Sequence, residues 1–281
     1  MTMTLTRALR NGLEAGRIIP YLGSGMLTLV PGGSPVPATP EALAGAITAK
    51  VTVPHKIRTR LTAAAQFIEN FKHRKTIVAL MCANFAPEVV PSTLHCYLAG
   101  LSKLPLIVDT WYDNASETAL KARKSWGQVQ GLSQSEHFGS WTGTFDSAGH
   151  EVNAFAAATW RTLLYKPIGG VSPAANFLVS DTDFVEVLTE IDIQTPIPQR
   201  VQEVRAGRNF LFLGCRFNDQ LQRTFARQIM KRSSDRHWAV LPGNLTRNEA
   251  RFLEEQNIER IDMGLEAFAA ELTGRQLAPA A

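Results

Sequence analysis

Apolar residues in this chain follow two rhythms that replace one another at intervals. Leu5, Leu9 and Leu13 recur at helical spacing and predict a helix over 6–15 that stops at Gly16. The next residues, Ile18-Ile19-Pro20-Tyr21-Leu22, form a continuous apolar run, as expected of a strand buried on both faces. Leu61, Ala64, Ala65, Ile68 and Phe71 return to helical spacing. They lie in a helical stretch over 39–103 that opens at the N-cap signal Thr39-Pro40-Glu41 and closes with a helix over 92–101. Strands are expected at 106–110 and 162–165, and helices over 182–191 and 198–206. Beyond residue 205, strands at 209–213, 238–241 and 258–261 alternate with helices at 219–232, 246–256 and from 265.

Short strands without polar alternation, joined by helices, predict a parallel sheet covered on both faces. The expected fold is therefore α/β: a doubly wound parallel sheet of Rossmann-like type, in one domain over 1–281, with a helical insertion at 39–103. The strands at 18–22, 106–110, 209–213, 238–241 and 258–261 should share that sheet. Residues 115–160 break the pattern. Rich in Gly and Ser, with Trp126, Phe138, Trp141 and Phe145 scattered through them, they predict a loop-rich excursion or short hairpins. The Pro- and Gly-rich stretch 30–37 suits a mobile segment over a site.

The chain has 281 residues, 45% hydrophobic and 19% charged, enough to bury a sizeable core. Its formal charge is +4, without a dense Lys/Arg run, which tolerates an anionic ligand such as a nucleotide but does not argue for nucleic acid. Cys82, Cys96 and Cys215 stand apart from one another, so neither a disulfide framework nor a tetrathiolate zinc site is available. Free thiols in apolar surroundings, with no signal peptide or membrane span in the sequence, predict a cytoplasmic protein.

Chemistry concentrates in four segments. The first strand runs into Gly23-Ser24-Gly25, a turn that brings bare backbone N–H groups near a phosphate. Thr28 stands where the third glycine of the dinucleotide fingerprint would be, so a ligand-free strand exit remains an equal reading. The second segment joins His95 to Asp109-Thr110-Trp111-Tyr112-Asp113. The third joins Tyr165-Lys166-Pro167-Ile168-Gly169-Gly170 to Asp181-Thr182-Asp183. The fourth is Leu213-Gly214-Cys215-Arg216-Phe217-Asn218-Asp219.

In this order and spacing the four segments resemble the bacterial sirtuin-like family, whose members include NAD-consuming defence enzymes. The resemblance covers roughly residues 15 to 265 and weakens over 115–160. It implies an NAD or ADP-ribose ligand. Gly23, Ser24 and Gly25 match the family's pyrophosphate turn, with Leu27 in place of its following serine. Trp111 and Asp113 fall in the stretch that engages the nicotinamide ribose, with Trp111 in place of the family's asparagine. Gly214, Cys215, Arg216 and Asn218 fall in the late turn that touches the adenosine half. The general-base histidine of the family is Ile168 here. Isoleucine moves no proton, and an indole only donates. The family's paired zinc cysteines are absent, which argues against a protein deacylase and against zinc.

Three readings follow. One is a nucleotide-binding protein with little or no hydrolase activity. Another is an NAD glycohydrolase with a relocated base, for which His95 and Asp113 are the candidates. The third is an interaction domain whose pocket is filled, joining a protein partner or a second copy. Single residues keep two roles each. His95 is a substitute base or a capping histidine. Asp109 is exposed at a strand end or paired with a cation such as Arg216. Trp111 stacks on a ligand or plugs the pocket. Arg216 faces a phosphate or Asp113, or makes a structural ion pair. His137, His150, Glu186 and Asp192 read as surface or capping residues.

Overall fold

The computed structural model describes residues 2–190 and 197–274; Asp192 and the end of the helix expected to reach residue 191 lie outside them. The chain opens with α1 (Thr2–Glu14) and β1 (Ile18–Leu22), then α2 (Pro40–Thr48), α3 (Leu61–Lys72), α4 (Arg74–Phe85) and α5 (Thr93–Gly100). Next come β2 (Leu106–Asp109), α6 (Ala115–Leu120), β3 (Trp126–Gly131), β4 (Thr142–Asp146) and β5 (Thr162–Lys166). A small ribbon, β6 (Gly169–Gly170) and β7 (Asn176–Phe177), precedes α7 (Asp181–Glu190), α8 (Gln199–Arg205) and β8 (Asn209–Leu213). The chain continues through α9 (Gln220–Met230), β9 (His237–Val240), α10 (Arg247–Glu255), β10 (Ile258–Ile261) and α11 (Leu265–Thr273).

Eight strands form one sheet in the order β10-β9-β8-β1-β2-β5-β3-β4. Every neighbouring pair is parallel except β3 and β4. The five strands expected to share a parallel sheet do so. The apolar runs follow from burial on both faces. Ile19 and Tyr21 of β1, with Phe210 and Phe212 of β8, enter one core beneath helices that include α2, α3, α4, α8, α9 and α10. Ile18 and Leu22, with Leu211 and Leu213, enter a second core that holds Leu9 and Leu13 of α1, Leu94 and Leu98 of α5 and Phe268 of α11. Helix α1 also meets α11 directly, where Thr6 Oγ1 donates to Glu271 Oε2 at 3.0 Å. No described helix is long and apolar enough to cross a membrane.

Residues 115–160 contain more sheet than their composition suggests. Strand β3 joins β5 in parallel, and β4 closes the edge as the far arm of a hairpin. Gly127 is required there, because a Cβ would overlap the Trp160 ring. Gln128 and Gln130 turn inward and donate their amides to Ser172 O, so buried amides stand where apolar residues would have announced a strand.

Candidate functional site

From β1 the chain builds outward through β2, then returns to lay β8 on the other side of β1. In open α/β sheets this reversal opens a crevice at the carboxyl ends of the two strands, where ligands bind. Two glycine turns meet there. Gly23 N donates to Leu213 O and Gly25 N to Gly214 O, each at 2.9 Å. A Cβ on Gly23 would lie 2.5 Å from Gly214 O, and one on Gly25 2.7 Å from it. Gly214 sits at φ 66°, and its own Cβ would overlap Met26 N. The glycines let two strand exits touch. A larger residue at position 25 strikes the protein's own backbone before any ligand, so a valine there does not act as a selective phosphate block.

Ser24, Gly25 and Gly214 are partly open to solvent, whereas Cys215 is buried with Sγ 3.6 Å from both Tyr21 O and Leu213 O. Burial pushes that thiol far above its ordinary pKa, so it is no nucleophile. Beyond the turn, Asn218 is exposed. Arg216 does not reach Asp109 or Asp113: its Nε and Nη2 both hold the Glu249 carboxylate at 2.9 Å. Asp219 caps α9, accepting from Leu221 N at 2.7 Å and Gln222 N at 3.3 Å.

On the other side of β1 the crevice is closed by apolar groups. Trp111 is buried, its ring edge-on to Phe85 and tilted against Tyr112, and its Nε1 donates to Pro37 O at 2.8 Å. That bond pins the stretch 30–37, whose Val30 and Val36 are buried beneath it. Ile168 is buried as well. His95 is a capping residue of α5: Ser92 N donates to its Nδ1, and its own N–H donates to Ser92 Oγ, each at 3.3 Å. Burial lowers its pKa to about 4, so the ring is neutral at physiological pH. His150 is exposed and lies 3.4 Å from Asp146.

Under the carboxyl ends of β2, β3 and β5 lies a buried cluster of charges. Lys166, fully buried, donates from Nζ to Asp109 Oδ2 at 3.2 Å and to Asp113 O at 2.7 Å. Burial works against its charge, but Asp109, Asp113 and Glu117 outweigh it and hold the ammonium above its ordinary pKa. Asp109 also accepts from Trp111 N, and Asp113 accepts from Ala115 N at the start of α6. Burial, with Asp109 nearby, raises the Asp113 carboxyl to about 6. Glu117 is raised to about 7, chiefly by burial; one of its oxygens is held by Ser172, while Oε1 has no hydrogen-bond partner. Sequence reasoning missed Glu117 and Glu249. Their signals were the four-residue step from Asp113 to Glu117 and the capping box from Thr246 to Glu249.

A carboxyl with a raised folded-state pKa binds its proton more tightly when folded. Stability is therefore highest in acid and falls as pH rises through that pKa. Glu117→Gln keeps a partner for Ser172 and removes the penalty. Relative to the wild type, the variant should gain up to about 3 kcal/mol between pH 5 and pH 8. Urea unfolding at both pH values measures this. The same difference at both would mean that Glu117 ionises normally.

A family model described as SIR2-like domain matches residues 105–261, more than half of the chain. The match takes in β2 through β10 and leaves out the Gly23-Ser24-Gly25 turn. No curated protein matches the chain. Among the described residues, no group of three or more His, Cys, Asp or Glu side chains is placed to hold a metal ion.

Proposed function

The chain belongs to the SIR2-like domain family, and from that premise we propose that it holds NAD or an ADP-ribose derivative without cleaving it. The carrying observation is the contrast between the two sides of β1. Toward β8, small and polar groups (Ser24, Gly25, Gly214, Arg216, Asn218) reach solvent at the crossover and suit an ADP-ribose moiety. Toward β2, Trp111 and Ile168 are buried and apolar where the family resemblance places the nicotinamide chemistry. A bound NAD would supply an activated glycosidic bond. Trp111 and Ile168 take no proton from water, the Asp113 carboxyl is buried and accepts from Ala115 N, and His95 has its Nδ1 committed to Ser92.

Loss of a general base lowers a rate on the order of 10²–10⁴-fold, which brings a modest hydrolase near background. Calorimetry should therefore detect ADP-ribose and NAD binding, while nicotinamide release from NAD stays close to the buffer rate. Turnover abolished by His95→Ala or Asp113→Asn would instead establish a hydrolase with a relocated base. A second reading, an interaction domain, is favoured by the closure of Trp111 on Pro37. It predicts binding of neither nucleotide.

A further inference from the structure

The four ionisable groups beneath the carboxyl ends of β2 and β5 do not balance. Lys166 is 0% exposed, Asp109 and Asp113 4% each and Glu117 8%, so one ammonium faces three carboxyl groups where water does not screen them. The hydrogen bonds do not make up the deficit. Lys166 Nζ is divided between Asp109 Oδ2 and Asp113 O, and Glu117 Oε1 has no partner at all. The cluster is neutral only while two of its three carboxyl groups carry protons. Burial favours that state, holding Asp113 up to about 6 and Glu117 up to about 7. Among the described residues, the other titratable groups that face the cluster keep their charge over this range. His95 of α5 is neutral above about 4, and burial keeps the Cys215 thiol protonated.

The same groups hold the segment that carries the plug. Asp109 Oδ1 accepts from Trp111 N at 3.1 Å, and Asp113 Oδ1 accepts from Ala115 N at 2.8 Å to start the short helix α6. Trp111 in turn holds the stretch 30–37 through Pro37 O. Tyr112, between them, is anchored elsewhere: its hydroxyl donates to Leu178 O at 2.7 Å, and its carbonyl accepts from Val171 N at 2.9 Å. We propose that this cluster is a proton-operated latch. While Asp113 and Glu117 hold protons, it keeps Trp111 shut over the β2 side of the crevice; when they lose them, Trp111 and the stretch 30–37 swing out. With both groups ionised, three negative charges meet one positive charge, and hydrating them requires residues 113–117 to move toward water about Tyr112. The latch governs access to the crevice, whichever ligand occupies it, and does not depend on the nucleotide reading.

Hydrogen exchange followed by NMR on the full chain between pH 5 and pH 7.5 tests this, with each rate divided by the unfolded-chain rate at the same pH. The probes are the Trp111 and Ala115 amides and the Trp111 indole N–H; the Phe212 amide, in the centre of the sheet, reports global unfolding. A group that holds its proton more tightly in the closed form favours opening by up to about tenfold per pH unit, between its ordinary and its raised pKa. Opening at the three probes should therefore rise by about a hundredfold or more over this range, while Phe212 stays far better protected. Glu117→Gln leaves Ser172 an acceptor and removes one titration, so the rise should shrink to about tenfold. Asp113→Asn leaves an acceptor for Ala115 N and should remove a smaller share. Protection at Trp111 that is constant with pH overturns the proposal. So does a loss that runs in step with Phe212, which would mean that the charges weaken the whole fold without moving the plug; the wild type alone decides both. An undiminished rise in Glu117→Gln overturns it as well.

Discussion

Lys166→Met should destabilise the protein by about 3–5 kcal/mol, lowering the melting temperature by roughly 10 °C. The methionine fills a similar volume but leaves Asp109 buried without its cation and Asp113 O without its donor. Three carboxyl groups then share one low-dielectric site, and some must take up protons for the fold to persist. The loss should therefore be larger at pH 8 than at pH 5. Adding Asp109→Asn should recover part of it, because a pair removed together leaves no orphan charge. Chemical denaturation of the two variants measures this, and a loss under about 1 kcal/mol for Lys166→Met would show that the cluster is not held by its lysine.

The second large effect is expected at the glycine contact. Gly214→Ala places a Cβ in a left-handed conformation and against Met26 N, so two penalties add. Left-handed backbone costs a non-glycine residue about 1–2 kcal/mol, and forced overpacking a further 1–3 kcal/mol. Gly32→Ala is the control. Its φ is 77°, but nothing lies within 4 Å of the added carbon, so it should show the conformational penalty alone. Equal losses at the two positions would mean that the strand exits separate readily. Gly25→Ala, with no positive φ, should resemble Gly214→Ala in packing loss only.

The sheet was legible because burial on both faces leaves a plain mark, an apolar run such as Phe210-Leu211-Phe212-Leu213. Strand β3 carries no such mark. All six of its residues are buried, but two of them are Gln128 and Gln130, whose amides are satisfied by a carbonyl more than forty positions away, and no local pattern encodes that partner. The same limit applies to the site. The glycine turns announce themselves, but the sequence leaves a phosphate cradle and a ligand-free strand exit equally open for the first of them, and in the fold each turn makes room for the other. The sequence leaves Asp109 either exposed at a strand end or paired with a cation such as Arg216; it is buried, its cation is Lys166, and Arg216 serves Glu249. A charge states that it needs a partner without stating which. That choice is made by the topology, which brings the ends of β2 and β5 side by side.

The contact between the two glycine turns also sets an order of events. Tyr21 and Cys215 meet across 194 positions, and Thr6 and Glu271 across 265. At about 5–20 residues per second, β1 leaves the ribosome roughly 10–40 s before the strand that will close one of its edges. During that interval an apolar strand has an unpaired flank, a state that invites pairing with other chains. Helix α1, meanwhile, waits for α11. Strand β1 thus precedes by a long interval the strand that closes its second edge, and its cohesion depends on the arrival of β8. A nascent chain halted before residue 209 should be far more open to proteolysis than its length suggests, because the halves of the crevice are each other's scaffold.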